Sequence, residues 1–369
     1  MKKIMICFGT RPEAIKMCPL IKAFRRENTF ECIICLTGQH KEMLRSVMDT
    51  FGITEDYNLE IMKKNQTLAS ITSDVIIGIN ELIDRIHPDM VLVHGDTTTS
   101  YASAVAAFYN GIPVGHVEAG LRTYDITSPF PEEFNRRSVD LISTLLFAPT
   151  STAKNNLISE NVEESRIFVT GNTVIDALQT TVLSDYSHSE LEWAKDSRII
   201  LVTAHRRENL GEPMRQMFQA IKQIADNYSD VRIIYPIHMN PKVRAIADEI
   251  LAYHERIHII EPLDVNDFHN FMANSYLIMT DSGGIQEEAP ALGKPVLVMR
   301  NTTERPEGVE AGTLKLVGTD SDSIFNATKK LLTDIDEYEK MSKAINPYGD
   351  GHASEYIVDI IRKYFDNEK

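Results

Sequence analysis

Short apolar segments of β-strand length alternate with amphipathic helical segments along this chain, and the alternation occurs twice. In the first half, the predicted strands are Lys3–Phe8, Cys32–Leu36, Met90–His94, Val114–Val117 and Leu145–Ala148. In the second half, they are Arg198–Thr203, Val231–Tyr235, Ile257–Ile260, Tyr276–Met279 and Pro295–Met299. Helices are predicted between the strands, including 67–86 and 98–110. This alternation is typical of parallel sheets covered by helices on both faces, so we expect an α/β protein.

The length of 369 residues exceeds what one hydrophobic core organises, so two domains are expected. We place a Rossmann-like domain at 1–170 and a second at 171–352, facing each other across a cleft at the carboxyl ends of their strands. The last helix, about Ala353–Phe365, carries an apolar stripe at helical spacing. Glycines just before this helix suit a sharp crossover, which predicts that 353–369 packs back on the first domain. The polar stretch 184–197 is interpreted as a surface segment.

The charge and the apolar runs of the chain exclude several classes of protein. The net charge of −15 argues against a general nucleic-acid or anionic-membrane binder. The first apolar run ends at Gly9, which indicates a strand and not an export signal, and no apolar run is long enough to cross a bilayer.

Cys32 and Cys35 lie three residues apart on one predicted strand, so their side chains point to opposite faces. We therefore expect no metal site there, buried thiols, and a cytoplasmic location.

The segment from Asp281 to Val298 places a glycine-rich turn between two buried strands. Ser282, Gly283 and Gly284 open this turn into a short helix, where free backbone N–H groups can hold phosphate oxygens. Glu288, one helical turn further, is positioned to accept hydrogen bonds from ribose hydroxyls. The alternative interpretation is an ordinary strand–turn–helix capped by Asp281 or Ser282.

Charged and polar clusters follow the predicted carboxyl ends of strands in both halves. They are Gly9–Lys16, His94–Thr99, His116–Arg122, Pro129–Arg137, His205–Asn209, Pro236–Asn240 and Arg300–Glu307. Each has a structural alternative: Asp96 as a helix cap, Glu118 as the salt-bridge partner of Arg122, and Glu132 in a first helical turn. His94 and His116 are interpreted as core or supporting histidines. The sequence shows no metal-binding motif, so no metal is predicted.

In combination, eight segments in order closely resemble the non-hydrolysing UDP-N-acetylglucosamine 2-epimerases, which have the glycosyltransferase-B architecture. The resemblance covers essentially the whole chain. The segments are Gly9–Lys16, Gly38–His40, His94–Asp96, His116–Arg122, Pro131–Arg136, His205–Glu208, Asp281–Glu288 and Thr303–Glu307.

The resemblance implies interconversion of UDP-N-acetylglucosamine and UDP-N-acetylmannosamine, by elimination of UDP to 2-acetamidoglucal and its re-addition. It implies catalytic roles for Asp96, Glu118, Glu132 and His205. The expected diphosphate ligands are Arg11, Lys16, Ser282, Gly283 and Gly284, with Arg136, Arg206, Arg207, His238 and Arg305 as further substrate-binding groups and Glu288 at the ribose. The expected partner is a UDP-sugar, with no cofactor, no nucleic acid and no membrane, and the protein is expected to be a homodimer.

Many bacterial members of this family bind a second UDP-N-acetylglucosamine as an activator. Gln39 and His40 match that pattern. The chain departs from it at Glu42, where members often carry Gln, and at Asn65, where they often carry Arg. One carboxylate gained and one cation lost should weaken a diphosphate site, which argues against control by an activator.

Three other functions fit parts of this pattern. A retaining glycosyltransferase would use the same turn but would need an acceptor, and a hydrolysing epimerase would release free N-acetylmannosamine and UDP. A nucleotide-sugar sensor would need none of the strand-end carboxylates. Incubation with UDP-N-acetylglucosamine alone separates all of these functions.

Overall fold

A computed structural model of the protein describes residues 1–38, 41–63 and 65–367, apart from the side chains of residues 41–43. The chain forms two compact units. Unit 1 comprises Met1–Thr180 together with Tyr348–Lys369, and unit 2 comprises Thr181–Pro347.

Unit 1 is built on a seven-stranded sheet in the order β3-β2-β1-β4-β5-β6-β7, in which all neighbouring strands are parallel. Its strands are β1 (Lys2–Phe8), β2 (Phe30–Leu36), β3 (Tyr57–Asn58), β4 (Met90–His94), β5 (Val114–Val117), β6 (Leu145–Ala148) and β7 (Ile167–Val169). Its helices are α1 (Arg11–Arg26), α2 (Lys41–Phe51), α3 (Leu68–Ile86), α4 (Thr98–Tyr109), α5 (Glu132–Ile142), α6 (Ser151–Ser159), α7 (Thr173–Thr181) and α16 (Ala353–Asn367).

Unit 2 is built on a six-stranded parallel sheet in the order β10-β9-β8-β11-β12-β13. Its strands are β8 (Arg198–Thr203), β9 (Val231–Pro236), β10 (Ile257–Ile260), β11 (Leu277–Thr280), β12 (Val296–Val298) and β13 (Leu314–Leu316). Its helices are α8 (Ser189–Trp193), α9 (Glu212–Asn227), α10 (Pro241–Leu251), α11 (Val265–Asn274), α12 (Ile285–Ala291), α13 (Pro306–Glu310), α14 (Ser321–Thr333) and α15 (Ile335–Ser342).

The predicted α/β fold with two doubly wound parallel sheets is confirmed by this topology. In each sheet the strand order reverses beside the first strand of the unit, between β1 and β4 and between β8 and β11. Ligands of open parallel sheets bind at the carboxyl ends of the strands at such a reversal. The loops after these four strands are therefore where a functional site is expected.

All ten predicted strands are present among the described residues, and the bounds of five of them differ from the prediction by one or two residues. β4, β5, β6, β8 and β10 have the predicted bounds. Three strands of two or three residues, β3, β7 and β13, were not predicted because such short runs carry no periodic signal. The stretch 184–197, predicted as a surface segment, contains the short helix α8.

The last helix packs in unit 1, on the side of α1. Ile357 and Ile361 are fully buried, and the Phe365 ring lies 6.5 Å from that of Phe30. The helix begins where Asp176 of α7 accepts hydrogen bonds from the backbone N–H groups of Ala353 and Ser354, at 3.3 and 2.7 Å. A side chain from another helix thus caps α16.

Two features of the described residues bear on the compositional predictions. No helix among them is long and apolar enough to span a membrane. All four cysteines are free thiols, and Cys32 is only partly buried, unlike the other three.

Candidate functional site

Glu118 lies in the loop after β5, with a backbone φ of 69°, a conformation that non-glycine residues seldom adopt. Its side chain is only 11% exposed. Lys16 of α1 forms an ion pair with Oε2 of Glu118, and the amide of Asn172 donates to the same oxygen at 2.9 Å. Nε2 of His94 lies 3.7 Å from Oε2, too far for a hydrogen bond. Glu118 is therefore held by Lys16 of α1 and by Asn172, which precedes α7.

Burial alone would raise the pKa of the Glu118 carboxyl, because removal from water disfavours the charge. The charge of Lys16 and the His94 ring outweigh this effect and hold the pKa of Glu118 well below its ordinary value. The group is therefore an ionised carboxylate in a nearly dry environment. The alternative in which Glu118 pairs with Arg122 is wrong.

Asp96 follows β4, the strand that pairs with β5. Its carboxylate forms an ion pair with Arg136 of α5, whose Nε donates to Oδ2 at 3.0 Å. Nη1 of Arg136 also donates to the buried Glu133 at 3.1 Å. Gly95, the residue before Asp96, lies so close to Glu118 that a Cβ added to it would stand 3.4 Å from Oε1. Asp96 and Glu118 thus occupy adjacent loops at the carboxyl edge of the sheet.

Glu132 is the first residue of α5 and is partly exposed. Within the described part of the chain, neither an ion pair nor a hydrogen bond reaches its side chain. The helix dipole favours a negative charge at this position. Glu132 is therefore a solvent-accessible carboxylate, one helical turn before Arg136.

Beneath these loops, a buried network links His116, Asp140 and Arg122. Nε2 of His116 donates to the Gly95 carbonyl at 2.8 Å, and Nδ1 contacts Asp140 at 2.6 Å. Arg122, whose side chain is fully buried, pairs with Asp140 at 2.7 Å and with Glu160. The network fixes the backbone of Gly95, so His116 acts as a supporting histidine, as predicted.

Glu13, which sequence reasoning did not single out, joins two of the loops. It is 1% exposed and accepts hydrogen bonds from the backbone N–H groups of Gly9 and Thr10 and from the hydroxyls of Thr97 and Ser100. Its signal in the sequence was a glutamate three residues after Thr10, the spacing of a capping box. Glu13 is therefore structural.

The three cations of unit 1 that are predicted to bind substrate differ in their surroundings. Arg11 lies partly exposed at the start of α1, and no ion pair reaches it among the residues described. Lys16 is 16% exposed and contacts Glu118. Arg136 contacts Asp96. Of these three, Arg11 alone has no carboxylate partner in the part of the chain that the structure describes.

In unit 2, Asp281 is fully buried after β11 and anchors the loop after β8. Its carboxylate accepts hydrogen bonds from the backbone N–H groups of His205 and Arg206 at 3.0 and 2.9 Å and from the Asn209 amide at 3.0 Å. The alternative interpretation, in which Asp281 caps α12, is therefore wrong for this residue. It holds the two strand-end loops of the sheet together.

His205 sits in this anchored loop with its Nδ1 3.6 Å from Asp281. Its ring stacks on that of His238, which follows β9, with centroids 5.4 Å apart. Burial lowers the pKa of His205; the charge of Asp281 opposes this, while His238 and Arg206 reinforce it. His205 is therefore a neutral imidazole near pH 7. Arg207, two residues further on, is exposed.

The predicted turn after β11 is present. The N–H of Ser282 donates to the Thr280 hydroxyl at 2.9 Å, and Gly284 precedes the seven-residue helix α12. A Cβ on Gly283 would lie 3.5 Å from a guanidinium nitrogen of Arg206. The turn thus brings small residues and Arg206 together.

Glu288 and Arg305 flank this turn. Glu288 is 15% exposed and lies 3.6 Å from Nε2 of the buried His269, which is itself hydrogen-bonded to Thr181. Arg305 forms an ion pair with the buried Glu287. Arg305 therefore already neutralises a carboxylate.

Gln39 and His40 lie outside the described residues, as does the side chain of Glu42. Among the described residues, no group of three or more His, Cys, Asp or Glu side chains could hold a metal ion.

Comparison with known proteins shows a match along nearly the whole chain. A family model described as UDP-N-acetylglucosamine 2-epimerase matches residues 22–362. The UDP-N-acetylglucosamine 2-epimerase of Bacillus subtilis (strain 168) is 58% identical over 357 residues, which cover 97% of this chain and 94% of that protein.

Solved structures agree with this match. A crystal structure of UDP-N-acetylglucosamine 2-epimerase is 54% identical with a TM-score of 0.93, covering 100% of this chain and 97% of that chain. The UDP-GlcNAc 2-epimerase from Neisseria meningitidis, solved bound to UDP-GlcNAc, is 47% identical with a TM-score of 0.87, covering 98% of this chain and 100% of that chain.

Proposed function

This chain belongs to the UDP-N-acetylglucosamine 2-epimerase family of enzymes, and from that membership we propose that it interconverts UDP-N-acetylglucosamine and UDP-N-acetylmannosamine. The observation that carries the proposal is the buried, ionised Glu118 at one strand end with Asp96 at the next. Two carboxylates in adjacent loops, at the point where the strand order reverses, suit a reaction that takes a proton from a sugar carbon and returns one.

The proposed route is elimination of UDP followed by its re-addition. A carboxylate accepts the proton from carbon 2, and the C–H electron pair forms the double bond between carbons 1 and 2 of 2-acetamidoglucal. The bond from carbon 1 to the phosphate oxygen breaks, and its electron pair leaves with UDP. In re-addition, that oxygen bonds to carbon 1 again while a proton reaches carbon 2 from the opposite face. The overall reaction is an isomerisation that consumes no co-reactant.

We assign the proton transfers to Asp96, Glu118 and Glu132 in unit 1. Glu118 is ionised and nearly dry, so it can accept a proton without first shedding bound water. Asp96 is held by Arg136, which fixes the direction of its carboxylate. Glu132 is partly exposed at the start of α5. Arg11 is assigned to the diphosphate because its guanidinium has no carboxylate partner in the described part of the chain.

In unit 2, we assign the nucleotide to the turn Ser282–Gly284 and to Arg206, with Glu288 at the ribose. The small residues of the turn allow close approach of phosphate oxygens, and Arg206 lies against Gly283. The neutral imidazole of His205 can donate an N–H hydrogen bond to the leaving diphosphate. Arg207 and His238 are the exposed donors beside it.

The test is to incubate the pure protein with UDP-N-acetylglucosamine alone in deuterated water and to follow the sugars by NMR. We expect UDP-N-acetylmannosamine with deuterium at carbon 2, since the proton lost to a carboxylate exchanges with solvent. Product that keeps its original hydrogen would exclude this route. Free N-acetylmannosamine with UDP would indicate a hydrolysing epimerase, and no turnover without an added acceptor would favour a glycosyltransferase.

We also propose that the protein is a homodimer. Four large apolar side chains are exposed on α4 and α5, two helices that pack together: Phe108, Tyr109, Phe134 and Leu141, with Leu141 77% exposed. Exposed apolar patches of this kind mark interaction surfaces. Analytical ultracentrifugation should show a dimer, and a charged residue in place of Leu141 should shift the protein toward monomer.

A further inference from the structure

Asn172 stands out because it contacts the proposed proton-transfer carboxylate from a segment with no assigned role. It is 4% exposed and lies just before α7. Its Nδ2 donates to Oε2 of Glu118 at 2.9 Å. Its Oδ1 accepts from the backbone N–H of Val174 at 3.1 Å. Because Oδ1 is occupied by a donor, the amide cannot be reversed, and its N–H₂ group must face Glu118.

The backbone of Asn172 is fixed as firmly as its side chain. Its N–H donates to the carbonyl of Tyr348 at 2.7 Å, where the chain re-enters unit 1. The preceding Gly171 has a φ of 85°, and a Cβ there would stand 3.0 Å from Cα of Gly349. Only glycine permits this close approach of two backbones. The returning segment therefore sets the position of Asn172.

The hydrogen bonds to Glu118 are unevenly distributed over its two oxygens. Lys16 and Asn172 both contact Oε2, and His94 is nearest to the same oxygen. In the part of the chain that the structure describes, no hydrogen bond is made to Oε1. Oε2 therefore accepts the contacts from the protein, and the lone pairs of Oε1 are available to a substrate.

We propose that Asn172 is a positioning residue for the epimerisation, which together with Lys16 occupies Oε2 of Glu118 and reserves Oε1 as the oxygen that exchanges the proton with the sugar. The inference rests on the proposed function, in which Glu118 is a proton carrier. A donor on Oε2 also stabilises the ionised carboxylate, so its loss raises the pKa of Glu118. The acid limb of the pH–rate profile should therefore move to higher pH when Asn172 is replaced.

The test compares two variants of Asn172 with two neighbours. Asn172→Leu keeps the size but removes the donor. Asn172→Asp keeps the acceptor for the Val174 N–H, so the local fold is retained, and replaces the donor by a negative charge. Thr173→Val is the matched control, because the buried Thr173 hydroxyl has no hydrogen-bond partner in the described structure. Asp176→Ala removes the cap of α16 and so reports a purely structural loss.

We expect Asn172→Leu to lower kcat by about tenfold to a hundredfold, the effect of one hydrogen bond to a charged group, with KM little changed. The acid limb of the pH profile of kcat should move to higher pH in Asn172→Leu and to still higher pH in Asn172→Asp. Thr173→Val should match the wild type. Asp176→Ala should lower the melting temperature without moving the acid limb.

Two outcomes overturn the inference in different ways. If wild type and Thr173→Val are active while both Asn172 variants keep the wild-type kcat and acid limb, Asn172 does not position Glu118. If Asn172→Leu fails to fold, Asn172→Asp decides the question alone. If wild type makes no UDP-N-acetylmannosamine, the proposed function fails and this inference with it.

Discussion

At the scale of single residues, the three proposed proton carriers differ in what surrounds them. Glu118 is buried against Lys16, Asp96 is paired with Arg136, and Glu132 is partly exposed at a helix start. Carboxylates in such different surroundings can take different roles, which suits a reaction that needs an acid and a base.

Replacing Asp96, Glu118 or Glu132 by the matching amide should lower kcat by about a hundredfold or more, because each change removes a proton carrier while keeping its shape. Binding of UDP, measured by calorimetry, should be unchanged. Glu249→Gln is the control, since Glu249 forms an exposed ion pair with Arg215 in unit 2. Near-normal rates in all three amide variants would mean that these carboxylates are structural.

His205 should titrate below the ordinary histidine pKa of about 6.5, because burial and the neighbouring His238 and Arg206 outweigh Asp281. Between the two pKa values, His205 binds a proton in the unfolded chain but not in the folded chain. The contribution of His205 to the free energy of unfolding is therefore present above about pH 6.5 and is lost as the pH falls below that value. NMR titration of labelled histidine measures the shift, and His238→Phe should move the pKa of His205 upward. A value at or above 6.5 in the wild type would contradict this account.

Sequence reasoning identified the residues at the strand ends but not the side chains that orient them. Asp96, Glu118 and His205 stood out because charge follows apolar strands. Asn172 and Asp281 act on residues 54 and 76 positions away in the chain. Such pairings depend on which loops the sheet brings together, and a single sequence carries no periodic signal for them.

At the scale of elements, Glu13 ties the β1–α1 loop to the β4–α4 loop. Glu13→Ala should lower the free energy of unfolding by about 3 kcal/mol or more, because four donors lose their shared acceptor, each loss costing roughly 1–3 kcal/mol when buried. Urea denaturation measures the change. Glu27→Ala, just after the other end of α1, should cost less than about 1 kcal/mol, since its ion pair with Arg362 is partly exposed. Equal losses would show that Glu13 has no special role.

Strands with an apolar run of their own were predicted, whereas the short strands β3, β7 and β13 were missed. β4 and β8 were bounded correctly because four or more buried residues lie between polar ends. β3 has two residues and β13 has three, and each is a strand only because a neighbour pairs with it. Pairing of this kind is tertiary and overrides local propensity.

At the scale of the whole molecule, unit 2 is one continuous segment of the chain. Unit 1 is made of two segments, the second of which is the 22 residues Tyr348–Lys369. The segment 181–347 contains its own buried cluster, centred on Phe218, Tyr235 and Leu297. Expressed alone, it should fold cooperatively, as seen by circular dichroism and thermal melting. A fragment that stays unfolded would contradict this prediction.

The fragment 1–180 should be markedly less stable, because it lacks the buried Ile357, Ile361 and Phe365, each worth roughly 1.5–3 kcal/mol. Joining 1–180 to 348–369 through a short flexible linker should restore it. A short linker suffices, since the Gln179 amide contacts the Gly351 carbonyl at 2.6 Å. Equal melting temperatures with and without 348–369 would show that α16 adds little.

The contact between Asn172 and Tyr348 has a consequence for the nascent chain. Tyr348 is translated 176 residues after Asn172, which corresponds to about 10 to 35 s on the ribosome at ordinary elongation rates. During that interval, unit 2 is synthesised in full while the backbone N–H of Asn172 has no acceptor from the returning segment. A ribosome that stalls before Tyr348 therefore produces a chain in which Glu118 is present but not yet oriented. The orientation of Glu118 proposed above is completed only after Tyr348 has been translated.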